Sequence, residues 1–275
     1  MEKKKIYIVV KTYPTISEEY SELVCTAGVL EDGSWIRLYP IPFRKLCDEQ
    51  KYPKHAWIEA IIERNTKDFR PESYRPNIDS IKILTKPIKD WDEKRNIIFK
   101  NKKIYTNLNE LINKAKSDKT SLAVFKPAKI TDFIVEKTER EWNPAKLKSL
   151  SLKSKQLNIF QTPEEIENEF RVVPKIPYKF SYKFEDEAGR QSKLMIEDWE
   201  IGMLYQNCLK RAENNENIAI SKVRDKYFNE FLKKDLHLFL GTTLEHHAKN
   251  APNPFVIIGV FYPPMPSAQL TIFDM

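Results

Sequence analysis

The sequence predicts an α+β fold: a β-rich N-terminal sheet or partly closed barrel, followed by a mixed C-terminal unit of helices and a β-hairpin. Three observations carry this. Short β-prone runs crowd the first 62 residues, and Glu31-Asp32-Gly33 joins two of them with a turn that needs φ > 0. Apolar residues recur at helical spacing in 198–211 and 218–233. Residues 178–184, Tyr-Lys-Phe-Ser-Tyr-Lys-Phe, alternate aromatic and polar, as a strand with one buried face does.

Taken in order, Ile6–Val10 is continuously apolar and reads as a buried strand. Leu23–Leu30 and Ser34–Tyr39 flank the Asp-Gly turn, and Ala56–Ile62 is a fourth strand. Residues 63–90 are polar and loop-rich, with prolines at 71, 76 and 87 and a short strand at 81–84. Residues 90–99 and 108–115 read as helices, and 122–125 and 130–135 as strands that return to the N-terminal sheet. Residues 1–140 are thus expected as one β-rich domain, with 141–177 as a linker. In the mixed unit 178–262, Asp198 opens one helix as its cap, and 236–240 and 255–261 are strands joined by a loop. Pro263, Pro264 and Pro266 then hold residues 263–275 as an extended tail, because proline cannot continue a ladder.

Composition narrows the function classes. The chain has 275 residues, 41% of them hydrophobic, enough for a substantial core. No apolar run approaches the roughly 18 residues of a membrane span. The apolar run after the basic start is too short for a signal peptide, so a cytoplasmic protein is expected, with no membrane partner. Three scattered cysteines form neither a disulfide framework nor a zinc motif. The net charge of +7 suits an anionic partner, with DNA or another nucleic acid foremost.

The most specific motif is Gln269-Leu270-Thr271-Ile272-Phe273 in the tail, repeated internally as Gln156-Leu157-Asn158-Ile159-Phe160. These segments resemble the bacterial sliding-clamp-binding peptide, whose usual form is Gln-Leu-x-Leu-Phe. Ile272 and Ile159 stand where that form has Leu. The resemblance implies that Gln269 bonds at a pocket rim while Leu270, Ile272 and Phe273 fill apolar subpockets, and that Gln156, Leu157, Ile159 and Phe160 offer a second copy. Anchors on an extended peptide fit this mode of recognition. The competing expectation is that these side chains pack as strands of the same chain.

Two further groups stand out. Arg37, Tyr39 and Arg44, with Lys11 and Trp35 nearby in the strand pattern, combine cations and aromatic rings as nucleic-acid contacts require. Glu245, His246 and His247, with Asp198, offer carboxylates and imidazoles for acid/base or metal-assisted work. The two histidines are adjacent and share a ligand only if they lie in a loop. No metal site or cofactor is assigned, and no Walker loop, GxGxxG, GxSxG or HExxH occurs. Asp132 and Glu136-Lys137 depart from the nuclease pattern Glu-x-Lys. The favoured expectation is a DNA-associated protein of repair or antiphage defence, recruited by the replication clamp. The alternatives are a metal-dependent nuclease or nucleic-acid-modifying enzyme, and a non-catalytic interaction module.

Overall fold

A computed structural model describes residues 1–17, 21–145, 147–148 and 173–266. The internal and tail Gln-Leu-x-Ile-Phe segments, and most of the expected linker, lie outside the described residues.

The N-terminal strands close on themselves. Strand β1 (Glu2–Lys11) pairs with β3 (Ser21–Leu30) and β3 with β4 (Trp35–Ile41). Strand β4 pairs with β6 (Ser73–Pro76), β6 with β5 (Trp57–Arg64), and β5 returns to β1. The result is a five-stranded barrel, antiparallel except for the parallel β4–β6 pair. Two short strands lie off the ring: β2 (Thr15–Ser17) on β3, and β7 (Lys82–Ile83) on β5. Closure satisfies the edges that an open five-stranded sheet would expose. The β3–β4 turn is where the sequence placed it. Gly33 sits at φ 90°, and a Cβ there would fall 2.4 Å from the Lys100 carbonyl oxygen, so only glycine fits.

Helix α1 (Trp91–Phe99) follows, capped by Asp90, whose side chain accepts from the Glu93 amide. Strand β8 (Ile104–Tyr105), helix α2 (Leu108–Asp118) and strand β9 (Leu122–Phe125) come next. Strand β9 does not join the barrel. It pairs with β13 (His237–Thr242), which pairs with β14 (Phe255–Phe261), so the sheet order is β14-β13-β9-β8. Strand β10 (Lys129–Lys137) likewise leaves the barrel and forms a second sheet with the hairpin β11 (Tyr178–Glu185) and β12 (Gln191–Met195). The expected return of 122–135 to the N-terminal sheet is therefore corrected. The barrel is already closed by β5 and β6, which leaves no edge for these strands.

Helices α3 (Trp199–Arg211) and α4 (Glu216–Arg224) pack together, and α4 runs on through a π-helical turn, Asp225–Glu230. The segment between β13 and β14, expected as a plain loop, holds a short helix α5 (Leu244–Ala248) capped by Thr243. No helix among the described residues is long and apolar enough to cross a membrane.

Burial explains why Ile6–Val10 carries no polar alternation. Ile6 and Ile8 face the barrel interior with Ile36, Leu38 and Ile58. Tyr7 and Val9 face outward, onto Phe239, Val256 and Ile258 of the β14-β13-β9-β8 sheet. A third core, built on Phe133, Tyr182, Tyr205 and Tyr227, lies beneath α2, α3 and α4. Each large side chain so buried contributes roughly 1.5–3 kcal/mol. The barrel thus packs broadly against the β14-β13-β9-β8 sheet. Where their faces part, beside β3 and β4, a cleft remains.

Candidate functional site

The cleft is a cavity of about 370 Å³ between the outer face of β3 and β4, the loop joining β5 to β6, and the ends of β13 and β14. Its barrel wall presents Cys25, Arg37, Tyr39 and the loop residues Lys67, Asp68 and Arg70, with Arg75 from β6. The opposite wall presents Glu197, Thr242, Leu244, Val256 and Ile258. Strand geometry produces this division. Ile36 and Leu38 point into the barrel, so Arg37 and Tyr39, one residue on, point out of it.

The arginine wall is rigid. Arg37 is 2% exposed and donates from Nη1 to the Ser121 hydroxyl (2.7 Å) and from Nη2 to the Ser121 carbonyl (3.1 Å). Glu72 accepts from that Ser121 hydroxyl at 2.6 Å, which supplies a nearby negative charge. Arg70 grips Asp68 through Nε (2.8 Å) and Nη2 (2.6 Å), and its Nη1 donates to the Thr242 carbonyl at 2.6 Å. That last bond ties the barrel loop to β13. Ser73 donates to Asp68 at 2.7 Å. Burial alone would raise the Asp68 carboxyl, but the hydrogen bonds and charge of Arg70 outweigh it and hold the carboxyl at about 2. Lys67 is exposed and Arg75 half-buried, its Nε donating to the Asn65 side chain at 3.2 Å. One exposed apolar side chain, Leu244, lines the cavity; Phe69, also exposed, lies edge-on to the His247 ring at 5.0 Å.

Glu197 faces the arginines from the other side. Its backbone is held twice: its N–H donates to the Ile257 carbonyl (2.7 Å), and its carbonyl accepts from the Tyr13 N–H (3.0 Å). Its carboxyl makes no hydrogen bond or ion pair among the described residues. Burial raises its pKa, and the charge opposing that is His246, not the arginines. The cleft is therefore polarised, with cations on the barrel wall and a separate carboxyl across from them. The Cys25 thiol is pushed up by burial, with the Arg37 and Arg70 charges pulling the other way. A thiol so shifted is a poor nucleophile.

The residues singled out from sequence as nucleic-acid contacts do not form one surface. Arg37 and Tyr39 enter the cleft wall. Arg44 lies at an exposed position and pairs with Glu22 at 2.5 Å. Lys11 is half-buried on another side, its ammonium 4.2 Å from the Phe43 ring centroid and donating to the Tyr52 carbonyl at 3.3 Å. Burial lowers the Lys11 pKa to about 8. Trp35 packs edge-on against Phe239 at 6.1 Å, away from the cleft.

The second group does not converge either. Glu245 pairs with Lys249 at 2.6 Å in solvent. His247 is buried, with Nε2 2.8 Å from the Ala115 carbonyl and Nδ1 3.0 Å from the Thr242 hydroxyl. A carbonyl only accepts, so Nε2 carries the proton and Nδ1 accepts from Thr242. His246 and His247 sit on a helix instead of a loop, and His246 is left near Glu197. Asp198 is 1% exposed and caps α3 through the Glu200 amide (3.1 Å), as the sequence suggested. Burial raises it to about 7, against the charge of Lys54. No group of three or more His, Cys, Asp or Glu able to hold a metal occurs among the described residues.

Sequence reasoning missed Lys67, Asp68, Arg70, Arg75 and Glu197. The available signal was the density of cations in 64–75, four arginines and lysines in a segment read only as polar loop. Glu197 gave none, since it stands beside the more obvious helix cap. As for the tail, the described chain stays docked through Tyr262, stacked on Phe231 at 3.8 Å, and Pro263, and then emerges with Met265 63% exposed.

Residues 104–275 match the family described as Domain of unknown function (DUF8757), and residues 2–100 match Domain of unknown function (DUF8758). The chain belongs to the first of these families, whose match covers more than half of it. No curated protein matches the chain.

Proposed function

We propose that this member of the DUF8757 family is a DNA-associated protein that takes one unpaired nucleotide of a nucleic acid into the cleft, and that its Gln269–Phe273 segment docks it on the sliding clamp. The observation that carries the first half is the cation-rich wall. Arg37, Arg70, Arg75 and Lys67 line one cavity with Asp68 as the carboxylate among them. Buried or half-buried guanidinium groups on a fixed frame suit a phosphate better than a neutral ligand. A cavity of about 370 Å³ has room for a nucleotide and none for a duplex. Exposed Leu244 on the cavity wall offers an apolar surface to a neighbouring base. Five-stranded Greek-key barrels elsewhere carry oligonucleotides on the face of their second and third strands, which here are β3 and β4. That last support is an analogy of fold.

For the second half the support is the motif itself, together with the chain's emergence at Pro264–Pro266. The edge of β14 where a returning strand would pair is engaged at Ile257 by Ile196 and Glu197. Repair or antiphage defence is the setting that joins nucleic-acid capture to the clamp.

Fluorescence anisotropy with labelled single-stranded DNA, single-stranded RNA and duplex DNA tests the cleft. Single strands are expected to bind more tightly than duplex, and the double variant Lys67→Glu, Arg75→Glu to weaken them about ten-fold or more, with a shallower salt dependence. Equal binding by the variant, or a preference for duplex, refutes the cleft assignment. Capture on immobilised sliding clamp tests the tail; a chain lacking 267–275 that is retained as well as the full chain refutes the docking.

A further inference from the structure

The polarity of the cleft says more than that an anion enters it. A mononucleotide has two chemically different ends: an anionic phosphate and a flat base edged with donors and acceptors. The cleft has two matching ends. Arg70, Arg75 and Lys67 lie on the barrel wall, and Glu197 stands on the other wall among the apolar side chains of Val256 and Ile258.

Glu197 is not explained by the fold. Its backbone is fixed by the Ile257 carbonyl and the Tyr13 amide, so the segment needs no help from the side chain. Its carboxyl is half-buried, lines the cavity and has no hydrogen-bond partner among the described residues. A half-buried carboxyl with no donor among those residues has acceptor capacity to spare, and the cavity it lines is where a ligand's donor would come from. The arginines do not supply one, since Arg70 is spent on Asp68 and the Thr242 carbonyl, and Arg37 on Ser121. The raised pKa from burial, opposed by His246 alone, agrees with that separation.

We propose that Glu197 reads the base: its carboxyl accepts a hydrogen bond from the exocyclic amine of a nucleobase seated against Val256 and Ile258, while Arg75 and Lys67 hold the phosphate. This rests on the reading of the cleft as a nucleotide site. A carboxyl oxygen accepts from an amine whether or not the group is ionised. Guanine, cytosine and adenine carry such an amine. Thymine and uracil present carbonyl oxygens at the corresponding places, which meet the carboxyl oxygens unfavourably. The cleft is thus expected to take amine-bearing nucleotides and to discriminate against thymine and uracil, with guanine favoured when the carboxylate is ionised because its edge offers two adjacent donors.

Isothermal titration of the full chain with GMP, CMP, AMP, UMP and inorganic phosphate tests this. The wild type is expected to bind GMP, CMP and AMP about ten-fold or more tightly than UMP, since a carboxyl left against carbonyl oxygens forfeits its donor. Glu197→Gln keeps the shape but adds an amide donor, so it is expected to shrink that gap to about three-fold or less while leaving inorganic phosphate binding unchanged. Glu197→Ala is the second variant and should lose the preference the same way. Arg75→Glu should weaken all four nucleotides and phosphate together. If UMP binds the wild type as tightly as the others, or if the preference survives in Glu197→Gln and Glu197→Ala, Glu197 does not read the base. If the wild type binds neither phosphate nor any nucleotide, the cleft assignment itself is overturned, and base reading with it.

Discussion

The Asp68–Arg70 pair holds the arginine wall, and Asp68→Asn is the perturbation that measures it. Both side chains are nearly enclosed, at 3% and 7% exposure, and joined by two short bonds. Two estimates bound the effect. The fall of the carboxyl from its ordinary 3.8 to about 2, at about 1.4 kcal/mol per pH unit, contributes about 2 kcal/mol at neutral pH. Removing one partner also strands the other charge out of water, for which breaking a buried pair costs about 3–5 kcal/mol. Asp68→Asn should therefore lose about 2–5 kcal/mol at pH 7, or on the order of 10 °C in Tm. The sign with pH follows from the direction of the shift. A carboxyl held below its ordinary value adds stability that is fully present above pH 3.8 and disappears as the pH falls towards 2. The wild type loses this contribution over that window and the variant does not, so their stabilities converge in acid. Urea unfolding at pH 7, 5 and 3 reads both effects. The double variant Asp68→Asn, Arg70→Met should recover much of the loss, because replacing the whole pair leaves no stranded charge. An Asp68→Asn variant within 0.5 kcal/mol of wild type at pH 7, or parallel acid curves for the two, would refute this account.

Two other outcomes follow from the buried groups and turns. Asp198→Asn should gain stability relative to wild type as the pH rises from 5 to 8. Burial raises the Asp198 carboxyl to about 7, so its ionisation opposes folding increasingly over that range, while Asn caps α3 equally well; melting curves at both ends that differ from wild type by the same amount would contradict it. Gly33→Ala should cost at least about 1–2 kcal/mol, since φ is 90° and the new methyl meets a backbone oxygen at 2.4 Å. A urea midpoint unchanged from wild type would count against that turn geometry.

Local physics made much of the fold legible. The Asp32-Gly33 turn, the buried run Ile6–Val10, the Tyr178–Phe184 alternation and the Asp198 cap each state their structure within a few residues, and each is found in place. The expectation for 122–135 went astray because apolar strands look alike whichever sheet receives them. Only the pairing of β5 with both β1 and β6 shows that the barrel was already complete. The cleft was less legible still. Arg37 and Tyr39 could be picked out, but only the packing of the barrel beside the β14-β13-β9-β8 sheet shows that alternation along β4 turns them out of the barrel into the cleft.

By itself, then, the sequence determined the elements, their turns and caps, the basic balance and the two Gln-Leu-x-Ile-Phe segments, because each of these is encoded by neighbours in the chain. Tertiary structure alone decided that Arg37, Arg70 and Glu197, spread over 160 residues, line one polarised cavity, and that the paired histidines share no site. The physical reason is that a cleft between two sheets is set by which faces are left uncovered after the cores have packed, and that balance of long-range burial leaves no mark on any short stretch of chain.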